Sequence, residues 1–71
     1  MSEVAVVIMD PDKIEEIRRI LTTKGCVIEC IGSFIPNKEF KKFSMTIIGA
    51  KCKSEEVSNE VLKELKKIYS D

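Results

Sequence analysis

Val4-Ala5-Val6-Val7-Ile8-Met9-Asp10-Pro11 is the stretch that decides the fold. Its first six residues are unbroken apolar sequence, which predicts a strand over about residues 3–9. Both alternating sets, Val4/Val6/Ile8 and Ala5/Val7/Met9, are apolar, the pattern of a strand covered on its two faces. One face is expected against helices and the other against a partner. Asp10-Pro11 then ends the strand and opens a helix, since aspartate is a good N-cap and proline at the first helical position gives up no needed donor.

The helix is predicted over about residues 11–24. Ile14, Ile17, Ile20 and Leu21 form its apolar stripe, with Glu15, Arg18 and Arg19 opposite. Gly25 is expected to stop it in a left-handed conformation. A second strand follows over about 26–35, where Cys26, Ile28 and Cys30 are assigned to the helix-packed side. Gly32 suggests a bulge or a close backbone approach. Pro36-Asn37-Lys38-Glu39 has turn chemistry. A third strand is predicted over about 42–51, with Phe43, Met45 and Ile47 inward and Ser44 and Thr46 outward. Ser54 caps a last helix over about 55–69, whose core stripe is Val57, Val61, Leu65 and Ile68, flanked by Leu62 and Tyr69.

This β-α-β-β-α order defines the expected fold class: α+β, a ferredoxin-like split βαβ unit without its final strand. A right-handed crossover makes the first two strands parallel, and the hairpin-linked third strand fills the gap between them, giving the order 1-3-2 with both helices on one face. The most apolar strand is then left on an edge. Natural edges are blunted by charge, proline or bulges, and Val4 to Met9 has none of these. Strand 4–9 is therefore expected to form a homodimer, edge to edge or face to face, with Val4, Val6 and Ile8 at the interface.

With 71 residues the chain is one domain, near the size at which a core needs outside support. Twelve basic residues balance twelve acidic ones, so no overall field draws it to nucleic acid or anionic lipid. No apolar run is long enough for a membrane span. Met1-Ser2-Glu3 lacks the basic start of a signal peptide, and the expected location is cytoplasmic. Three cysteines, an odd number, fit a reducing compartment and are expected as small hydrophobes. Cys26 and Cys30 are about 13 Å apart along a strand and cannot bond each other. Cys26 faces Cys52 only if the hairpin centres on Glu39, and a shift of one residue separates them.

Without histidine the usual proton-transfer group near neutral pH is missing. No glycine-rich phosphate loop or nucleophile elbow is present. No metal site is expected either, in the absence of histidine and of any C-x-x-C pair. Glu29 alternates with Cys26 and Cys30 and is badly placed as a base for either thiol. No catalytic residue, cofactor or enzyme activity is expected. Met9-Asp10-Pro11-Asp12 presents backbone N–H groups at a helix start, which suits either an anionic ligand or plain capping by the aspartates.

The runs VAVVIMDPDKIEEIRRILTTKGCVIECI and SMTIIGAKCKSEEVSNEVLKELKKI resemble the ACT domain family over about residues 4–68. The resemblance implies a regulatory module that binds an amino acid or similar small effector between paired domains. Carried over by position, the ligand would contact Met9, Asp10, Asp12, Val27 and Ile28. A second possibility is a subunit or inhibitor of a larger protein complex, with Phe40 among the charges of Asn37-Lys38-Glu39-Phe40-Lys41-Lys42 as its anchor. A third is nucleic-acid binding on the sheet, for which Phe34 and Phe43 are the only stacking candidates and Lys38, Lys41 and Lys42 form a small basic patch.

Overall fold

The computed structural model describes residues 1–34 and 45–69. Strand β1 is Ser2–Ile8, followed by a single 3-10 turn at Pro11–Lys13 and helix α1 at Ile14–Thr23. Strands β2, Val27–Phe34, and β3, Met45–Cys52, precede helix α2 at Glu55–Tyr69. The sheet order is β1-β3-β2, with β3 antiparallel to both neighbours. This α+β architecture has the expected element order and strand order. The turn expected at 36–39, Phe40, Phe43, Ser44 and the lysines at 38, 41 and 42 lie outside the described residues.

Local chemistry sets the element ends. The Asp10 carboxylate accepts the Asp12 N–H at 3.0 Å. At the other end of α1, Gly25 takes a φ of 81°. Its N–H donates to the Thr22 carbonyl and that of Cys26 to Leu21, so two orphan carbonyls of the last turn are satisfied by a left-handed stop. Ser54 Oγ accepts the Val57 N–H at the start of α2.

One core joins the sheet to the helices. Val4, Val6 and Ile8 from β1 meet Ile48, Ala50 and Cys52 from β3, with Ile17 and Leu21 of α1 and Val61 and Leu65 of α2 above them. The opposite face of the sheet is open. Ala5, Val7 and Val27 are exposed there, and Met45, Ile47 and Gly49 are half-buried.

Two facings differ from the sequence expectation. In β3 the inward set is Thr46, Ile48, Ala50 and Cys52, the reverse of the Met45/Ile47 assignment. Lys51 belongs to the same alternating set as Met45 and Ile47, and burying that set would strand its ammonium without water. The cost moves to the Thr46 hydroxyl, which is met by Ser33 Oγ at 3.1 Å. In β2, Ile28 faces Ala50 but Cys30 faces Gly49, leaving Glu29 as an extra residue in a bulge. One added residue reverses the alternation, so Cys30 is exposed on the open face and not packed under the helices. The bulge lies three residues before Gly32, the position expected for it.

Cys26 and Cys52 form a disulfide, with their α-carbons 4.3 Å apart. They sit one step beyond the Val27–Lys51 pair, directly across the β2–β3 ladder. The expectation of three separate thiols is thereby corrected. From Phe34–Met45 to Cys30–Gly49 the ladder is one residue off the register centred on Glu39, and the extra residue Glu29 restores the alignment that brings Cys26 to Cys52. Their pairing also removes the reason for taking the cysteines as the mark of a reducing compartment. Among the described residues no helix is long and apolar enough to cross a membrane.

Candidate functional site

The residues expected to bind a ligand fall into two groups that one chain does not bring together. Val27 and Ile28 lie in the same sheet rows as Glu3 and Val4, while Met9 follows Ile8, whose row contains Thr46. Four residues of strand, about 13 Å, separate the rows of Val4 and Ile8. At the Met9 end the capping role of the aspartates is realised. The Asp10 carboxylate holds the Asp12 amide, and its carbonyl accepts the Lys13 N–H. Lys13 Nζ reaches back to the Ile68 carbonyl at 3.5 Å and lies 6.0 Å from the centre of the Tyr69 ring. Partial burial, reinforced by the Asp10 carboxylate, raises the pKa of the Tyr69 phenol above 10.0. These contacts tie the start of α1 to the end of α2 and account for Asp10 without a ligand.

The side chains of Val4, Val6 and Ile8 belong to the core, at 7%, 7% and 1% exposure. What β1 offers a partner is therefore its backbone edge, together with Ala5 and Val7 on the open face. Among the described residues no strand lies beyond β1. The two edges of the sheet are unlike. On β2 the bulge at Glu29 interrupts the ladder, a device that discourages further pairing. β1 runs seven residues without a bulge or a proline.

A hollow borders β1 on each face. On the open face, about 420 Å³ lies over Ala5 and Gly49, walled by Glu3, Glu29 and Cys30. Its depth comes from the row Ala5–Gly49–Cys30, where small residues follow one another across three strands. Lys51 Nζ stands 3.5 Å from the Glu29 carboxylate. On the helix side, about 410 Å³ lies between β1 and the first turns of α2, framed by Glu3, Glu55, Ser58 and Asn59. Ser58 is 6% exposed, and its hydroxyl has no hydrogen-bond partner among the described residues.

Glu3, Ser58 and Gly49 were not singled out from the sequence as site residues. Glu3 and Gly49 become neighbours of the hollows only through strand pairing. Ser58 could have been noticed as a polar residue next to Val57 and one turn before Val61, on the buried side of α2. Among the described residues no three potential metal ligands cluster. No protein-family model, characterised protein or solved structure matches this chain.

Proposed function

We propose that this chain is a regulatory module without catalytic activity that pairs with a second copy along β1 and binds a small effector at the seam. The carrying observation is the β1 edge, which no strand among the described residues covers, on the side of the sheet opposite the bulged β2 edge. Seven residues of bare backbone on the most apolar strand favour addition of another strand. Two β1 strands related by a two-fold axis make a continuous six-stranded sheet and complete a ferredoxin-like two-layer body. The hollows on the two faces of β1 give such a seam room for a ligand, and both include Glu3. The ACT resemblance supplies the class of effector, an amino acid or similar metabolite.

Sedimentation equilibrium at micromolar concentration, followed by thermal-shift measurements with a panel of amino acids, tests both parts. A dimer stabilised by a member of the panel is expected. A single species of 8.1 kDa overturns the pairing, and a dimer that no amino acid stabilises overturns the effector class. Stoichiometric capture of a different protein along the same edge would assign the chain instead to a larger complex.

A further inference from the structure

We propose that helix α2 supplies the second half of the pairing surface. Its stripe Glu55, Asn59, Leu62, Lys66 and Tyr69 packs antiparallel against the same stripe of a second copy, with Glu55 of each copy bridged to Lys66 of the other. The proposal rests on the β1 pairing described above and specifies what holds it in register.

The stripe is defined by spacing. Steps of four, three, four and three residues keep side chains on one side of a helix, the repeat of paired helices. All five are exposed, whereas Ser58, Val61 and Leu65 on the adjoining side are buried. Two of the exposed residues are large and apolar: Leu62 is 44% and Tyr69 48% accessible. The stripe faces the β1 edge. Glu55, Asn59 and Leu62 border the hollow beside Ser2–Ala5. Leu62, Lys66 and Tyr69 frame a further hollow of about 450 Å³ that continues it along the helix.

Spacing in the sheet selects the occupant. Helix α2 packs on β1 and β3. Joining two β1 edges therefore places the two α2 helices about two strand spacings apart, roughly 9.6 Å, within the 8–10 Å of packed helices. A second copy thus brings its own helix to the distance at which Leu62 is covered. Stacking two open faces would leave these stripes far apart.

Register then selects the charge pairs. Full overlap of Ser2–Ile8 with its two-fold mate puts Ala5 on the axis. Helix α2 starts beside Ser2 and Glu3, where Glu55 lines the hollow. It ends beside the turn after β1, where Lys13 Nζ reaches the Ile68 carbonyl at 3.5 Å and lies 6.0 Å from the centre of the Tyr69 ring. Rotation about Ala5 carries the level of Glu55 to the level of Ile8, which along the helix is that of Lys66. The same rotation sets Asn59 against Leu62. Among the described residues neither Glu55 nor Lys66 has an ion-pair partner within its own chain. A parallel arrangement would instead oppose like charges.

Charge reversal tests the pairing. Glu55→Lys and Lys66→Glu, separately and together, are compared with the unaltered chain by sedimentation equilibrium, with circular dichroism confirming the fold. Each single reversal opposes like charges twice across the axis and is expected to weaken dimerisation about tenfold. The double reversal is expected to return the affinity to within about threefold, because each ion pair is restored with its ends exchanged. Effects on the helix dipole alone would accumulate in the double variant and not cancel. If the unaltered chain dimerises but the double variant shows no rescue, the helix pairing is overturned while β1 pairing stands. If the unaltered chain is a monomer, both are overturned.

Discussion

The sulfur of Cys30 occupies the space above Gly49 that a side chain would need: a β-carbon added to Gly49 would lie 2.8 Å from Cys30 Sγ. The two meet because the bulge at Glu29 turns Cys30 to the open face and sets it opposite Gly49. An absent side chain on β3 and a displaced one on β2 are thus one feature.

Gly49→Ala is expected to leave stability nearly unchanged. The gain from restricting the unfolded chain, about 0.4–1 kcal/mol, is offset by the rotamer change forced on Cys30, about 0.5–1.5 kcal/mol. In a Cys30→Ala background the clash is absent, and the same substitution should stabilise by about 0.4–1 kcal/mol. Urea denaturation of the four chains gives the coupling. Equal effects in both backgrounds would show that Cys30 does not constrain Gly49.

The Cys26–Cys52 disulfide closes a loop across a sequence separation of 26. Loop entropy assigns such a closure about 3.5 kcal/mol. A domain of this length has a total stability of about 4–11 kcal/mol, so the bond is a large part of it. Reduction, or Cys26→Ala with Cys52→Ala, should lower the urea midpoint by a corresponding amount. An unchanged midpoint after complete reduction would contradict this.

Ser58 buries a hydroxyl without a partner. Ser58→Ala removes an unmet desolvation cost and improves helix propensity, and should stabilise the isolated chain by about 1 kcal/mol. A loss of stability on this substitution would show that the hydroxyl is satisfied in solution. Thermal denaturation at a concentration that keeps the chain monomeric is the measurement.

Tyr69 is the only tyrosine, so its ionisation is read directly by ultraviolet absorbance. Burial first, then the Asp10 carboxylate, raise its pKa above 10.0. Asp10→Asn should lower the midpoint without bringing it all the way to the ordinary value, since the larger cause remains. Folding holds this phenol neutral. Its contribution to stability is therefore fully present below about pH 10 and is lost as pH rises through the higher folded value. A midpoint insensitive to Asp10 would remove the electrostatic part.

The helices were legible in the sequence because their signals are local. Asp10-Pro11, Gly25 and Ser54 mark ends that need only neighbouring backbone groups, and the stripe through Ile17 and Leu21 has the helical period. The strand order was legible too, since chain connectivity and crossover handedness leave few alternatives. Facing was harder. A period of two is reversed by one extra residue, and nothing in Val27-Ile28-Glu29-Cys30 marks Glu29 as that residue. In β3 the decisive residue was Lys51, whose charge fixes the open face although Met45 and Ile47 share its alternating set.

Chain chemistry by itself determined the elements, their ends and the place of Val4–Ile8 at the edge of the described sheet, because each depends on contacts within a few residues or on connectivity. Tertiary structure alone decided that Cys26 meets Cys52, that Cys30 covers Gly49, and that Ser58 lies buried beside β1. Those relationships depend on register between strands distant in sequence. A slip of one residue there exchanges the faces of a sheet while the local propensities stay the same.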